Sequence, residues 1–111
     1  MKSALKLLAG TILLCGATSA GAQAVDADAA QALMKKSNCF KCHSLDKKKD
    51  GPAYHEVAEK LKGKADAEQT LYTHLTTHPK IKIDGKEEEH VSLKTTDDAQ
   101  IKNVIRFVLA Q

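Results

Sequence analysis

The hydrophobic positions of residues 23–111 recur mostly at helical spacing. The pattern is clearest near the C-terminus, where apolar residues follow an i, i+3, i+4, i+7, i+8 rule at Ile101, Val104, Ile105, Val108 and Leu109. Thr95 or Thr96 is the expected N-cap, and Asp97 and Asp98 would lie in the first turn, where carboxylates favour the helix dipole. This segment is therefore predicted to form a helix with one buried face.

Three further helices are predicted, over residues 26–37, 53–62 and 66–77. Gly63 ends the second of these helices and Asp66 caps the third. Their expected inward-facing residues are Ala30, Leu33 and Met34, then Val57, Ala58 and Leu61, then Leu71 and Leu75. No alternating apolar run is long enough to predict a sheet, so the fold class is all-α.

Residues 78–95 break the helical pattern. Ile81 and Ile83 alternate with charged residues, which indicates a short extended piece, and Gly85 then turns the chain into an acidic run, Glu87, Glu88 and Glu89. A stretch of this length without regular structure is uncommon in a small domain, and it favours a functional role for the segment.

The N-terminus has the three parts of a secretory signal. Lys2 and Lys6 form a basic start, residues 7–14 are apolar but too few to span a bilayer, and Ala20-Gly21-Ala22 is a small-x-small cleavage site. Cys15 follows Leu14 and not a small residue, which disfavours a lipoprotein cysteine. We expect cleavage after Ala22, which leaves residues 23–111 as one periplasmic domain with no membrane insertion.

The charge of this domain is nearly balanced. Loss of Lys2 and Lys6 with the signal lowers the formal net charge from +3 to +1, which gives no case for a nucleic-acid partner. The lysines are nevertheless concentrated between residues 35 and 50, at Lys35, Lys36, Lys41, Lys47, Lys48 and Lys49.

The most informative motif is Cys39-Phe40-Lys41-Cys42-His43, the C-x-x-C-H signature of c-type haem attachment. Two thiols three positions apart can each add to one vinyl group of a haem, and the following histidine then reaches the iron. A thioredoxin-like redox pair would need a βαβ setting, and a zinc site would need a second compact ligand pair. A structural disulfide would leave His43 unexplained.

Around this motif the sequence resembles the class I monohaem cytochromes c, in particular the short bacterial cytochrome c551 and c552 type. The resemblance covers residues 23–111 and rests on the haem motif, on Gly51-Pro52-Ala53-Tyr54, on residues 63–68 and on residues 106–111. It implies about four helices packed around one covalent haem c, with the first and last helices crossing. It also implies that the Pro52 carbonyl accepts a hydrogen bond from the ring of His43, a contact that orients the ligand.

The sequence departs from this family at the second iron ligand, which the family supplies as a methionine before the last helix. Here that loop has no methionine, and Met34 lies on the first helix, where it is predicted to be a core residue. Threading the loop from either end places the missing ligand between Glu88 and Val91. We therefore expect bis-histidine ligation by His43 and His90.

Other candidates remain open for the sixth position at this point. His78 is the second choice, and an open site or Lys86 is a further alternative. His74 is expected at the surface or the edge of the core, and His55 is expected to be solvated.

These residues predict an electron-transfer protein and not an enzyme. Redox partners, expected to be acidic, would dock at Lys41, Lys47, Lys48 and Lys49, and the protein is expected to be a monomer. The alternative function is a haem-based binder or sensor of CO, NO or O₂ with a labile sixth ligand. No sequence feature marks the acid–base residue that a peroxidase-like site would need.

Overall fold

The computed structural model describes residue 16 and residues 24–111, so nearly all of the predicted signal segment lies outside the described residues. Within the described part, the regular elements are, in chain order, α1 (Ala27–Lys36), a 3₁₀ turn (Cys39–Lys41), α2 (Tyr54–Leu61), α3 (Ala67–Thr76), β1 (Lys80–Ile83), β2 (Lys86–Glu89) and α4 (Asp98–Leu109). The four predicted helices are all present, and the mainly helical class is confirmed.

Helix α4 is the centre of the packing, because α1, α2 and α3 all contact it. Its buried residues are Ile101, Val104, Ile105, Phe107 and Val108. Four of these belong to the apolar stripe predicted from the sequence, and Phe107 adds an aromatic ring beside them. Met34 from α1 joins the same core at 1% exposure, as predicted.

The first and last helices are tied together by one amide side chain. Asn103 on α4 accepts a hydrogen bond from the Asp26 backbone N–H at 3.0 Å and donates one to the Asp26 carbonyl at 2.8 Å. The carboxylate of Asp26 in turn caps α1 by accepting from the Ala29 N–H. The start of α1 is thereby fixed against the middle of α4.

The cap of α4 differs from the sequence prediction. Asp97, and not Thr95 or Thr96, is the N-cap, because its extended backbone lets its carboxylate accept from the Gln100 N–H at 3.2 Å. Thr95 supports this cap from outside the helix: its hydroxyl accepts from the Asp97 N–H and donates to the Gln100 side chain.

The short extended piece expected at Ile81 and Ile83 and the turn expected at Gly85 are present, but the expectation that the chain forms no sheet was wrong. Strands β1 and β2 pair antiparallel, with Lys80 opposite Glu89 and Ile83 opposite Lys86. Asp84 and Gly85 form the turn with φ angles of 49° and 77°, the positive values that a tight two-residue hairpin requires. The pattern was missed because β2 is exposed at every position and so shows no apolar alternation.

Candidate functional site

The cysteine motif begins where α1 ends. Asn38 adopts a left-handed backbone, with φ of 60°, and turns the chain into the 3₁₀ turn that carries Cys39. The backbone N–H groups of Cys42 and His43 both donate to the Cys39 carbonyl, which closes the motif into one compact turn. Cys39 and Cys42 do not form a disulfide, and burial raises the pKa of the Cys39 thiol.

The imidazole of His43 is oriented by the segment that follows the motif. Its Nδ1 lies 2.7 Å from the Pro52 carbonyl oxygen, which can only accept a hydrogen bond. The ring proton is therefore on Nδ1, and the lone pair of Nε2 is left for a metal. This is the contact that the family resemblance implies for Pro52.

Two further residues confine the same ring. Tyr54, at the start of α2, stacks on His43 with ring centroids 4.9 Å apart and planes 23° apart. Tyr54 is itself buried and meets Phe40 edge to face. Gly51 lies so close to His43 that a Cβ atom at residue 51 would be 2.5 Å from Cε1 of the imidazole.

His90 approaches His43 from a different part of the chain. It directly follows β2, and its backbone N–H donates to the Pro79 carbonyl at 2.8 Å, at the base of the hairpin. The ring centroids of His43 and His90 are 6.0 Å apart, with planes at 60°. Burial, assisted by the charges of His74 and His43, lowers the pKa of His90 to about 4, so the ring is neutral as metal ligation requires.

The backbone after His90 is fixed at two more points. The Leu93 N–H donates to the Leu75 carbonyl of α3 at 3.0 Å, and the Lys94 N–H donates to the Ser37 hydroxyl at 2.9 Å. Ser37 is only 1% exposed, although it is polar. The segment that carries His90 is thus held by the hairpin base, by α3 and by the end of α1.

Comparison with protein families gives a match over residues 27–111 to cytochrome c. The chain belongs to the cytochrome c family. Members of this family carry one covalent haem c, so the cofactor expected from the motif is confirmed for the family. Among the described residues, no helix has both the length and the apolar character needed to cross a membrane.

Individual cytochromes similar to this chain include cytochrome c-551 of Pseudomonas aeruginosa, 43% identical over 60% of this chain and 58% of that protein. Cytochrome c-552 of Hydrogenobacter thermophilus is 41% identical over 55% of this chain and 53% of its own length. The chain thus spans little more than half of these relatives.

Solved cytochrome structures match over a longer stretch. The class 1 cytochrome MtoD of Sideroxydans lithotrophicus ES-1 has a TM-score of 0.75 and 50% identity, over 78% of this chain and 97% of that one. Cytochrome c552 of Nitrosomonas europaea has a TM-score of 0.55 and 26% identity, over 71% of this chain and 95% of that one. The resemblance to class I cytochromes c is confirmed.

The residues of this cytochrome fit a six-coordinate haem. An imidazole nitrogen binds a metal at about 2 Å, so two such rings on opposite sides of one iron have centroids about 6 Å apart. The 6.0 Å between His43 and His90 agrees with that spacing. In addition, the Nδ1 atom of His90 is buried, and the ring has a hydrogen-bonding contact with the backbone of Val91.

The other histidines of the cytochrome differ in burial. His55 and His78 are exposed, although His78 was the second choice for the sixth ligand. His74 is half-buried, and its ring contacts that of His90, with centroids 4.1 Å apart. It lies at the edge of the core, as expected, but sequence reasoning missed its contact with His90. The available signal was its position three residues after buried Leu71, which places both on one face of α3.

Lysines in and just after the cysteine motif lie near His43. Lys41, Lys47, Lys48 and Lys49 are all exposed, and the last three line a surface depression together with Phe40, His43 and Leu45. The Lys49 ammonium donates to the Phe40 carbonyl at 2.7 Å. The lining holds four lysines, with Lys35 as the fourth, against the single carboxylate of Asp46, so this surface is basic.

Proposed function

We propose that this chain is a periplasmic electron-transfer protein with one bis-histidine haem c. Cys39 and Cys42 would form the thioether bonds, His43 would be the proximal ligand and His90 the distal ligand. The proposal depends on one observation: the imidazole rings of His43 and His90 have centroids 6.0 Å apart, the spacing expected for two ligands of one iron. When bound, the haem supplies an iron that alternates between the ferric and ferrous states, and no substrate is chemically changed.

The protein's contribution is to hold the same ligands in both oxidation states. Pro52 fixes the tautomer and the direction of His43, and Tyr54 limits rotation of its ring. The backbone bonds at His90, Leu93 and Lys94 hold the distal segment. Ligands that stay in place keep the structural change on electron transfer small, which favours fast transfer.

The same anchors argue against a sensor of CO, NO or O₂. Such a sensor would need His90 to leave the iron, and the segment around it would have to move. Its backbone is bonded to the hairpin base, to α3 and to buried Ser37, so displacement would break several hydrogen bonds. Electron transfer is therefore the better-supported function.

The basic surface formed by Lys41, Lys47, Lys48 and Lys49 is the proposed docking site for an acidic redox partner. It adjoins the depression that contains His43, so a partner bound there would lie close to the haem ligand. Charge complementarity of this kind accelerates transient encounters. We further propose that residues 1–22 direct export and that the mature protein acts as a monomer.

Absorption spectra of the purified protein test the proposal first. We expect low-spin bands in the ferric and ferrous states, with the ferrous bands shifted by CO only slowly, at the rate at which the sixth ligand dissociates. High-spin bands, or a rapid shift of the ferrous bands on addition of CO, would favour the sensor function over electron transfer. A protein without haem would contradict the assignment of Cys39 and Cys42.

The distal ligand is tested by His90→Ala, with His55→Ala as the matched control because His55 is exposed on α2. The first variant is expected to become high-spin and to bind CO, and the second to keep the parent spectrum. An unchanged low-spin spectrum in His90→Ala would exclude His90 as the ligand.

A further inference from the structure

A second histidine lies directly against the proposed distal ligand. The rings of His74 and His90 have centroids 4.1 Å apart, with planes tilted by 47°, and both residues are half-buried. His74 is on α3, whereas His90 follows the hairpin, so the contact joins two separate elements. The function proposed above gives His74 no role.

The position of His74 is set by the core. Its neighbours Leu71 and Leu75 on α3 are buried, which fixes the helix and the direction in which residue 74 projects. The Leu75 carbonyl also accepts the Leu93 N–H, so one helical turn holds both the ring beside His90 and the backbone after it. A rigid helix is a suitable support for a residue that must position another.

The two axial rings are restrained by different means. His43 has a hydrogen bond to Pro52 and a stacked partner in Tyr54. The His90 ring has a hydrogen-bonding contact with the backbone of the adjacent residue Val91, and the aromatic rings that it contacts in the described part of the chain are His43 and His74. With a haem between His43 and His90, His74 is the ring that remains in direct contact.

We propose that His74 is a positioning residue for the distal ligand: its ring packs on the His90 imidazole, fixes the rotation of that ring about the iron–nitrogen bond and opposes its departure from the iron. The inference rests on the proposed bis-histidine function. Fixing the rotation of His90 sets the angle between the two imidazole planes, which is 60° in this structure.

The test compares four ferric and ferrous holoproteins: the parent, His74→Ala, His74→Phe and His78→Ala. Electron paramagnetic resonance of the ferric state reports the angle between the imidazole planes through the anisotropy of the g values. The rate of CO binding to the ferrous state reports how readily His90 leaves. His78→Ala removes an exposed histidine from the same region and serves as the control.

We expect His74→Ala to shift the g values and to accelerate CO binding by about three- to tenfold, the effect of losing one contact between aromatic rings. His74→Phe keeps a ring at this position and should stay close to the parent, as should His78→Ala. Parent-like spectra and rates in His74→Ala would overturn the inference, and so would equal changes in the Ala and Phe variants.

His90→Ala separates this inference from the proposed function. If that variant keeps the parent spectrum, bis-histidine ligation by His90 fails. If it becomes high-spin while His74→Ala is unchanged in both readouts, only the role of His74 fails.

Discussion

Gly51 and His43 lie in such close contact that residue 51 has no room for a side chain. A Cβ atom there would lie 2.5 Å from Cε1 and 2.9 Å from Nδ1 of the imidazole, closer than van der Waals contact permits. The ring cannot retreat freely, because Tyr54 stacks on it and Pro52 holds its Nδ1. The proximal ligand therefore depends on a glycine that sequence reasoning noted only as part of a family motif.

Gly51→Ala is expected to displace His43 and to weaken or abolish its bond to the iron. The added methyl group forces either the ring or the Pro52 segment to move. The ferric absorption spectrum measures the loss of low-spin ligation. Gly63→Ala is the control: it has open space but a positive φ, so it should cost about 1–2 kcal/mol of stability and leave the spectrum unchanged. A parent-like spectrum for Gly51→Ala would contradict the predicted displacement of His43.

We expect Tyr54 to contribute more through its ring than through its hydroxyl, which hydrogen-bonds to the Cys39 side chain. Tyr54→Leu removes the stack on His43 and the edge contact with Phe40, so we expect a loss of about 0.5–1.5 kcal/mol per ring pair beyond the lost burial. Tyr54→Phe keeps both contacts and should be destabilised much less. Denaturant unfolding of the holoproteins measures both. Equal losses would assign the effect to the hydroxyl group instead.

The distal histidine should give this protein a low reduction potential. Methionine as the second ligand raises the potential of a cytochrome c, whereas histidine lacks that effect. We therefore expect His90→Met, if the methionine ligates, to have a higher potential than the parent in an equilibrium redox titration. The methionine–iron absorption band verifies ligation in the variant. An equal or lower potential in a methionine-ligated variant would be the contrary result.

The basic surface predicts a salt-dependent encounter with acidic partners. Electron transfer from the parent to an acidic redox protein should slow as ionic strength rises, because salt screens exposed charges. Lys47→Glu combined with Lys48→Glu should slow transfer at low salt. The matched control reverses the charges of Lys62 and Lys64, which are exposed lysines between α2 and α3. It should slow electron transfer less. An electron-transfer rate that does not change with ionic strength would contradict the docking role of this surface.

Ser37 anchors the distal segment, and its hydroxyl is the atom that matters. Ser37→Ala leaves the Lys94 N–H without its acceptor at a part-buried site, which should destabilise the protein by about 0.5–1.5 kcal/mol. Thermal or denaturant unfolding measures the loss. Ser37→Thr keeps the hydroxyl and tests whether the volume or the hydrogen bond is decisive; equal stability of Ser37→Ala and the parent would show that the bond contributes nothing.

The parts of this structure that sequence reasoning anticipated depend on local spacing. The haem motif is five consecutive residues, and the stripe on α4 follows helical periodicity, so both could be read directly. The position of His90 came from the length of the loop in related proteins. The hairpin was missed because Glu87, Glu88 and Glu89 offer no apolar alternation, although Asp84-Gly85 is a typical turn pair.

The contacts that escaped prediction join distant residues through packing. His74 and His90 are 16 residues apart and meet only because α3 and the post-hairpin segment fold together. The choice of Asp97 over Thr95 as the N-cap depends on one backbone conformation. Spacing along the chain does not specify either feature.

The hydrogen bond between Ser37 and Lys94 also bears on the order in which parts of the protein fold. It joins residues 57 apart, whereas the turn that contains Cys39, Cys42 and His43 closes through bonds between near neighbours. Local turns form early in folding, and contacts that close long loops form late. The cysteine motif should therefore be in place before the long-range contacts form, and the distal histidine should arrive later with those contacts, so ligation by His90 should follow attachment of the haem.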